Sequence, residues 1–189
     1  MGNVVRLNMG GLAAAGVAAV LLAFLAPARA QTIVPRTHGP VSAVQVAYSG
    51  PEKPGTIVVD AGSRKLLLVE AAGKARQYSI AVGREGFGWN GTVHVGGKRE
   101  WPEWIPPQEM RLRDPDLPES VPPGPLNPLG ARAIYLFDGK RDTLYRIHGT
   151  NDASSVGGFE TSGCFRLSNA DVMDLFKRVS VGAKVIVDD

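Results

Sequence analysis

The run Thr161-Ser162-Gly163-Cys164-Phe165-Arg166-Leu167, with His148-Gly149-Thr150-Asn151 sixteen residues upstream, decides how this chain is read. Cys164 is the only cysteine in 189 residues, so it cannot form an intramolecular disulfide. The bland readings are a small buried hydrophobe for the thiol and a strand-end residue bonded to backbone for the imidazole. A nucleophile needs a base, however, and a lone Cys with a His elsewhere is the minimal pattern of a thiol enzyme. If Thr143 to His148 is extended, Leu144, Arg146 and His148 point one way and Tyr145 and Ile147 the other. If Ser162 to Leu167 is extended too, Cys164 and Arg166 share a face, and Phe165 and Leu167 anchor the other in the core. Two adjacent strand ends would then bring His148 to Cys164, with residues 149–160 as a loop lining a pocket.

The compartment sharpens the meaning of that thiol. Arg6, the apolar stretch Gly10 to Leu25 and the Ala28-Arg29-Ala30 site read as a signal peptide over residues 1–30, with Gln31 as the mature N-terminus. The stretch is short for a membrane span, so no stable span is expected after cleavage. The remaining 159 residues suit one domain with its own core. Cleavage removes two arginines and no acid, so the formal charge falls from +3 to +1. With no Lys/Arg block and no basic stripe, nucleic-acid binding is not expected. Exported domains use cysteines in pairs, so an odd one points to a reactive group.

Residues 31–55 hold four prolines and read as a linker or flexible arm, leaving 56–189 as the folded domain. Strands are expected at Thr56 to Asp60, Lys65 to Glu70, Arg76 to Val82, Gly91 to Val95, Ala131 to Phe137, Thr143 to His148 and Lys184 to Val187. Ser168 to Val179 is the clearest helix. Ser168 is a fitting N-cap with Asp171 three residues on, and Val172, Leu175, Phe176 and Val179 make one apolar face. Between them, residues 96–130 carry Trp101, Trp104 and nine prolines. This is a long ordered loop with a short helical turn near Pro107 to Arg113, both tryptophans packing it onto the core. The sum is a mostly β, sandwich-like domain with one late α-helix.

In that frame His148 takes the thiol proton and returns it to a leaving amine. Gly163 lets backbone N–H groups near Cys164 hold an oxyanion. Arg166 either grips a substrate carboxylate or pairs with Asp171 or Asp174. Ser162 or a backbone carbonyl orients His148, and Gly149 gives the strand a sharp exit. The three histidines, at 38, 94 and 148, have no metal-ligand spacing, and no phosphate-cradling loop occurs. No metal or cofactor is expected.

These residues resemble the signature of the L,D-transpeptidases (YkuD domain): a His-Gly-Thr run, then Ser-x-Gly-Cys, an apolar residue, Arg, an apolar residue and Asn, here through Ser168-Asn169. Glu100-Trp101-Pro102-Glu103-Trp104 and Asn127 to Arg132 look like the long loop of bacterial periplasmic members. The resemblance implies a periplasmic enzyme acting on peptidoglycan stem peptides. Cys164 would be the nucleophile and His148 the base, with Gly163 and Arg166 supporting oxyanion and substrate. The acyl-enzyme would pass to a second stem, giving a 3–3 crosslink, or to an outer-membrane lipoprotein as acceptor. It also implies acylation of Cys164 by carbapenem-type β-lactams. Three positions depart from the pattern: Ser162 where many members carry His, Phe165 for Ile or Val, and Ala153 for Pro. Two other readings stand beside it: a thiol hydrolase cutting crosslinks or lipoprotein–peptidoglycan bonds, and a non-catalytic peptidoglycan-binding domain.

Overall fold

Alternation builds the sheet. In the computed structural model, which describes residues 1–2 and 42–188, strand β2 (Ile57–Asp60) buries Ile57 and Val59, and β3 (Lys65–Ala71) buries Leu66 and Leu68. Strand β11 (Lys184–Asp188) buries Val185 and Val187. Side chains on one face of each strand thus meet in a common core. The remaining strands of the large sheet are β1 (Val44–Ala47), β4 (Lys74–Ser79), β6 (Gly91–Glu100), β7 (Arg132–Asp138), β8 (Arg141–His148) and β10 (Phe165–Arg166). Their order is β1-β4-β3-β2-β11-β6-β7-β8-β10, and a second sheet pairs β5 (Val82–Gly83) with β9 (Phe159–Thr161). Nine twisted strands tend to curl. Here the curl is stitched shut: Ala81 and Arg166 exchange backbone hydrogen bonds of 2.8 and 2.9 Å, joining the chain beyond β4 to edge strand β10.

The late helix, α2 (Asn169–Arg178), packs on β7 and β8 through Val172 and Leu175, as its periodicity predicts. Burying two such aliphatic side chains contributes about 3–6 kcal/mol. Ser168 caps it, its hydroxyl accepting from the Asp171 N–H at 3.1 Å. Lys98 donates to the carbonyls of Phe176 and Val179, satisfying the far end.

Three expectations shift. The expected return strand to Val82 stops at Ser79, because Ala81 turns to Arg166 and Val82 starts a separate pairing with β9. Strand β6 runs on to Glu100 rather than ending at Val95. Gly96-Gly97 does not break it but forms a bulge, and a Cβ at Gly96 would sit 2.2 Å from the Phe137 ring. Within the expected arm, Val44–Ala47 is an edge strand on β4, and Ser42 hydrogen-bonds the Asp171 carboxylate at 2.8 and 2.6 Å. Residues 3–41, which hold nearly all of the expected signal peptide and the first part of the expected arm, lie outside the described residues.

The Pro/Trp loop is ordered around one side chain. Asn127 is fully buried, and its amide donates to the carbonyls of Pro102, Val121 and Pro122 while its oxygen accepts from the Leu129 N–H. Prolines supply carbonyls but no donors, so one amide gathers them. The short helix α1 (Gln108–Arg113) buries no residue. Trp101 is just over a third exposed and Trp104 half-buried.

Candidate active site

Strands β8 and β10 run parallel, with Phe165 opposite Ile147 and Arg166 opposite His148. Ile147, Phe165 and Leu167 fill the core, so the alternate residues share the other face. The same register sets Cys164 beside Arg146. The sulfur accepts from the Arg146 backbone N–H and lies 3.9 Å from the Leu144 carbonyl. His148 is two residues further along β8, on the face that carries Arg146.

The backbone is bent to make this arrangement. Register slips between Tyr135 and Phe137, and Leu144 takes a left-handed conformation, φ 63°. Side chains replace the missing ladder bonds. Thr143 Oγ1 donates to the Leu136 carbonyl and accepts from the Tyr145 N–H, and Asp142 accepts from the Leu144 N–H. Such bulges re-aim groups beside active sites. Asp142 also holds the Arg146 guanidinium through two bonds of 2.7 and 2.8 Å.

His148 is buried, and its Nδ1 lies 2.6 Å from the Gly149 carbonyl. A carbonyl only accepts, so Nδ1 carries the hydrogen and Nε2 keeps its lone pair. Burial pushes the imidazole down to about 4, against the pull of the Gly149 carbonyl, and the Arg166 and Arg146 charges add to the fall. Burial also pushes the half-buried Cys164 thiol up, while the Arg146 N–H and the Arg146 and Arg166 charges draw it down. Both the thiol and the imidazole are therefore uncharged at neutral pH.

The other expected residues separate. Arg166 pairs with neither Asp171 nor Asp174. Its Nη1 donates to Ser155 Oγ at 2.9 Å, and its Nε is buried without a hydrogen-bond partner among the described residues. Ser162 does not orient His148 but lies at the long loop, 3.5 Å from an Arg113 nitrogen. Gly149 supplies the orienting carbonyl. It is a glycine because a Cβ there would meet Asn169 Oδ1 at 2.2 Å, not because the strand needs a positive φ to leave. The Gly163 N–H is taken by Thr161 Oγ1 at 3.2 Å, which leaves the Cys164 N–H as the donor beside the sulfur.

Two residues escaped the sequence reading. Asn169 accepts from the Ala131 and Thr150 N–H groups and donates to the Thr150 carbonyl, pinning both segments beside His148. Its place in the family pattern was the available signal. Trp89 stacks on Tyr145, ring centroids 4.6 Å apart and nearly parallel, and donates to the Gly163 carbonyl at 2.8 Å. Nothing in its local sequence marked it.

A model of the L,D-transpeptidase catalytic domain (YkuD) matches residues 54–187. The chain belongs to that family. Over 118 residues it is 38% identical to the probable L,D-transpeptidase ErfK/SrfK of Escherichia coli, covering 59% of this chain and 36% of that protein. The chain thus spans about a third of the length of the curated relatives it matches. A solved structure from Brucella melitensis, described as a probable carnitine operon oxidoreductase, is 47% identical over 77% of this chain and 92% of its own, with a TM-score of 0.54. An L,D-transpeptidase from Mycobacterium smegmatis shares the fold at 18% identity, covering 80% of this chain and 69% of its own, with a TM-score of 0.55. The oxidoreductase label belongs to the Brucella protein. What this chain matches over residues 54–187 is the transpeptidase catalytic domain.

Proposed function

We propose that this protein is an exported, periplasmic L,D-transpeptidase acting on peptidoglycan stem peptides. The observation that carries the reading is His148, held as a neutral base of one tautomer on the face of β8 that adjoins Cys164. In the first half-reaction Cys164 Sγ attacks the carbonyl of the third stem residue and His148 Nε2 takes the thiol proton. The Cys164 N–H donates to the oxyanion. The intermediate collapses to a thioester as the bond to D-alanine breaks, and the proton passes to the departing amine. In the second half-reaction an amine of another stem, or of a lipoprotein, attacks the thioester. It loses a proton to His148, and sulfur regains it as the new amide forms. Arg166 Nε–H, desolvated and unpaired, suits a carboxylate of the incoming stem, since an unpaired buried donor gains most from a charged acceptor.

Intact mass after incubation with a carbapenem tests the first half-reaction. A stoichiometric adduct is expected, absent in Cys164→Ala and formed about 100-fold or more slowly in His148→Ala. A folded protein with reduced Cys164 that takes no adduct overturns the reading. Paired stem peptides then read transfer to an amine against loss to water.

A further inference from the structure

We infer that Trp89 is a positioning residue for the oxyanion site, acting through one peptide plane. The inference rests on the acyl-transfer reading and names the device that holds its key donor.

The Gly163 carbonyl and the Cys164 N–H belong to the same peptide unit. That unit is planar and, like every peptide in the described chain, trans, so the two groups point in opposite directions. Fixing one fixes the other. Trp89 Nε1–H donates to the Gly163 carbonyl at 2.8 Å, which aims the Cys164 N–H to the side away from the indole. Gly163 itself cannot hold the plane by sterics, since its φ of 101° is open to a glycine and closed to other residues. The neighbouring groups are already committed. Thr161 Oγ1 accepts from the Gly163 N–H at 3.2 Å and donates to the Cys164 carbonyl at 2.6 Å. Between Thr161 and Trp89, both carbonyls and the first N–H are held, and the Cys164 N–H is the group left to face a substrate.

The indole is itself held. It stacks on Tyr145, with an interplanar angle of 7°, and lies 5.6 Å from the Phe165 ring. Tyr145 in turn fills the place where a Cβ of residue 163 would stand, 2.5 Å away. The residues that pack the core side of β8 and β10 thereby set the angle of a backbone donor on the reactive side. Preorganisation of this kind is where oxyanion stabilisation comes from, because a donor already aimed costs no reorganisation when charge develops.

The test compares two reactions of one sulfur. A carbapenem acylates Cys164 through a tetrahedral oxyanion: the S–C bond forms, the lactam C–N bond breaks, and the thiol proton goes to the ring nitrogen. Iodoacetamide alkylates the same sulfur at a saturated carbon, where iodide leaves and no oxyanion forms. The exported protein is compared with Trp89→Phe, which keeps a six-membered ring to stack on Tyr145 and removes the N–H donor. Thr161→Val loosens the same peptides from the other side and guards against a fold defect peculiar to position 89. Acylation is expected to fall about 10–100-fold in both variants, with alkylation within about threefold of the parent and melting temperature preserved. Acylation at the parent rate in Trp89→Phe overturns the inference, and so does an equal fall in both reactions. A parent that alkylates but takes no carbapenem removes the acyl-transfer reading itself.

Discussion

Two hairpins of the same sheet are built to different ends. The β3–β4 hairpin pairs Lys65 through Val69 without interruption, slips only at its tip, and turns through Gly73 in open space. The β7–β8 hairpin slips in mid-strand, holds Leu144 at positive φ, and lets Thr143 and Asp142 side chains stand in for ladder bonds. The first minimises local conflict. The second accepts conflict, and what it gains is direction: the Leu144 carbonyl and the Arg146 N–H both face the Cys164 sulfur. Strain gathers where groups must be aimed, and regular pairing supplies the stability that tolerates it.

The sharpest break of this contrast is a matched pair of glycine substitutions. Gly163→Ala forces a left-handed alanine into the Tyr145 ring, and acylation is expected to fall by about 10³-fold as the oxyanion donor is displaced. Carbapenem acylation kinetics read this directly. Gly73→Ala, also at positive φ but with nothing within 4 Å, is the smallest effect expected: about 1 kcal/mol by urea denaturation and no change in acylation.

Between these lie two others. His148 titrates near 4 folded and near 6.5 unfolded, so below 6.5 the unfolded chain binds the extra proton. Stability contributed by the neutral imidazole is complete above pH 6.5 and declines by roughly 3 kcal/mol as pH falls to 4. His148→Gln should flatten that part of the curve in urea titrations. The acylation rate of the parent should hold from neutral pH to about 5 and drop as the base protonates. Next, Asn169→Ala removes three hydrogen bonds that pin residues 131 and 150 beside His148. A loss of about 2 kcal/mol is expected, together with slower acylation, measured on the same preparation.

The legible parts of the chain were those governed by local rules. Helix α2 follows from the Ser168 cap and the spacing of Val172, Leu175 and Val179, and strands β2, β3, β7 and β8 from alternation and turn residues. Cys164 and His148 were legible as a pattern of residue types, and the face of β8 that His148 shares with Arg146 followed from period two. What escaped depended on contacts distant in sequence. The Trp89 bond to Gly163 spans 74 positions and the Ser42 bond to Asp171 spans 129, and no local periodicity encodes either. The far end of β4 is illegible for the same reason, since only Arg166 explains why Ala81 leaves the strand.

The bridge between Ala81 and Arg166 changes what local damage can do. Strand β10 is only two residues long, the kind of segment that ordinarily frays. Here it is gripped by β8 on one flank and by Ala81 on the other, two residues beyond the thiol. Cys164 is therefore anchored to the sheet from both flanks of β10. Inactivation by heat or denaturant should be all-or-none, with activity surviving until the sheet parts and then vanishing with it.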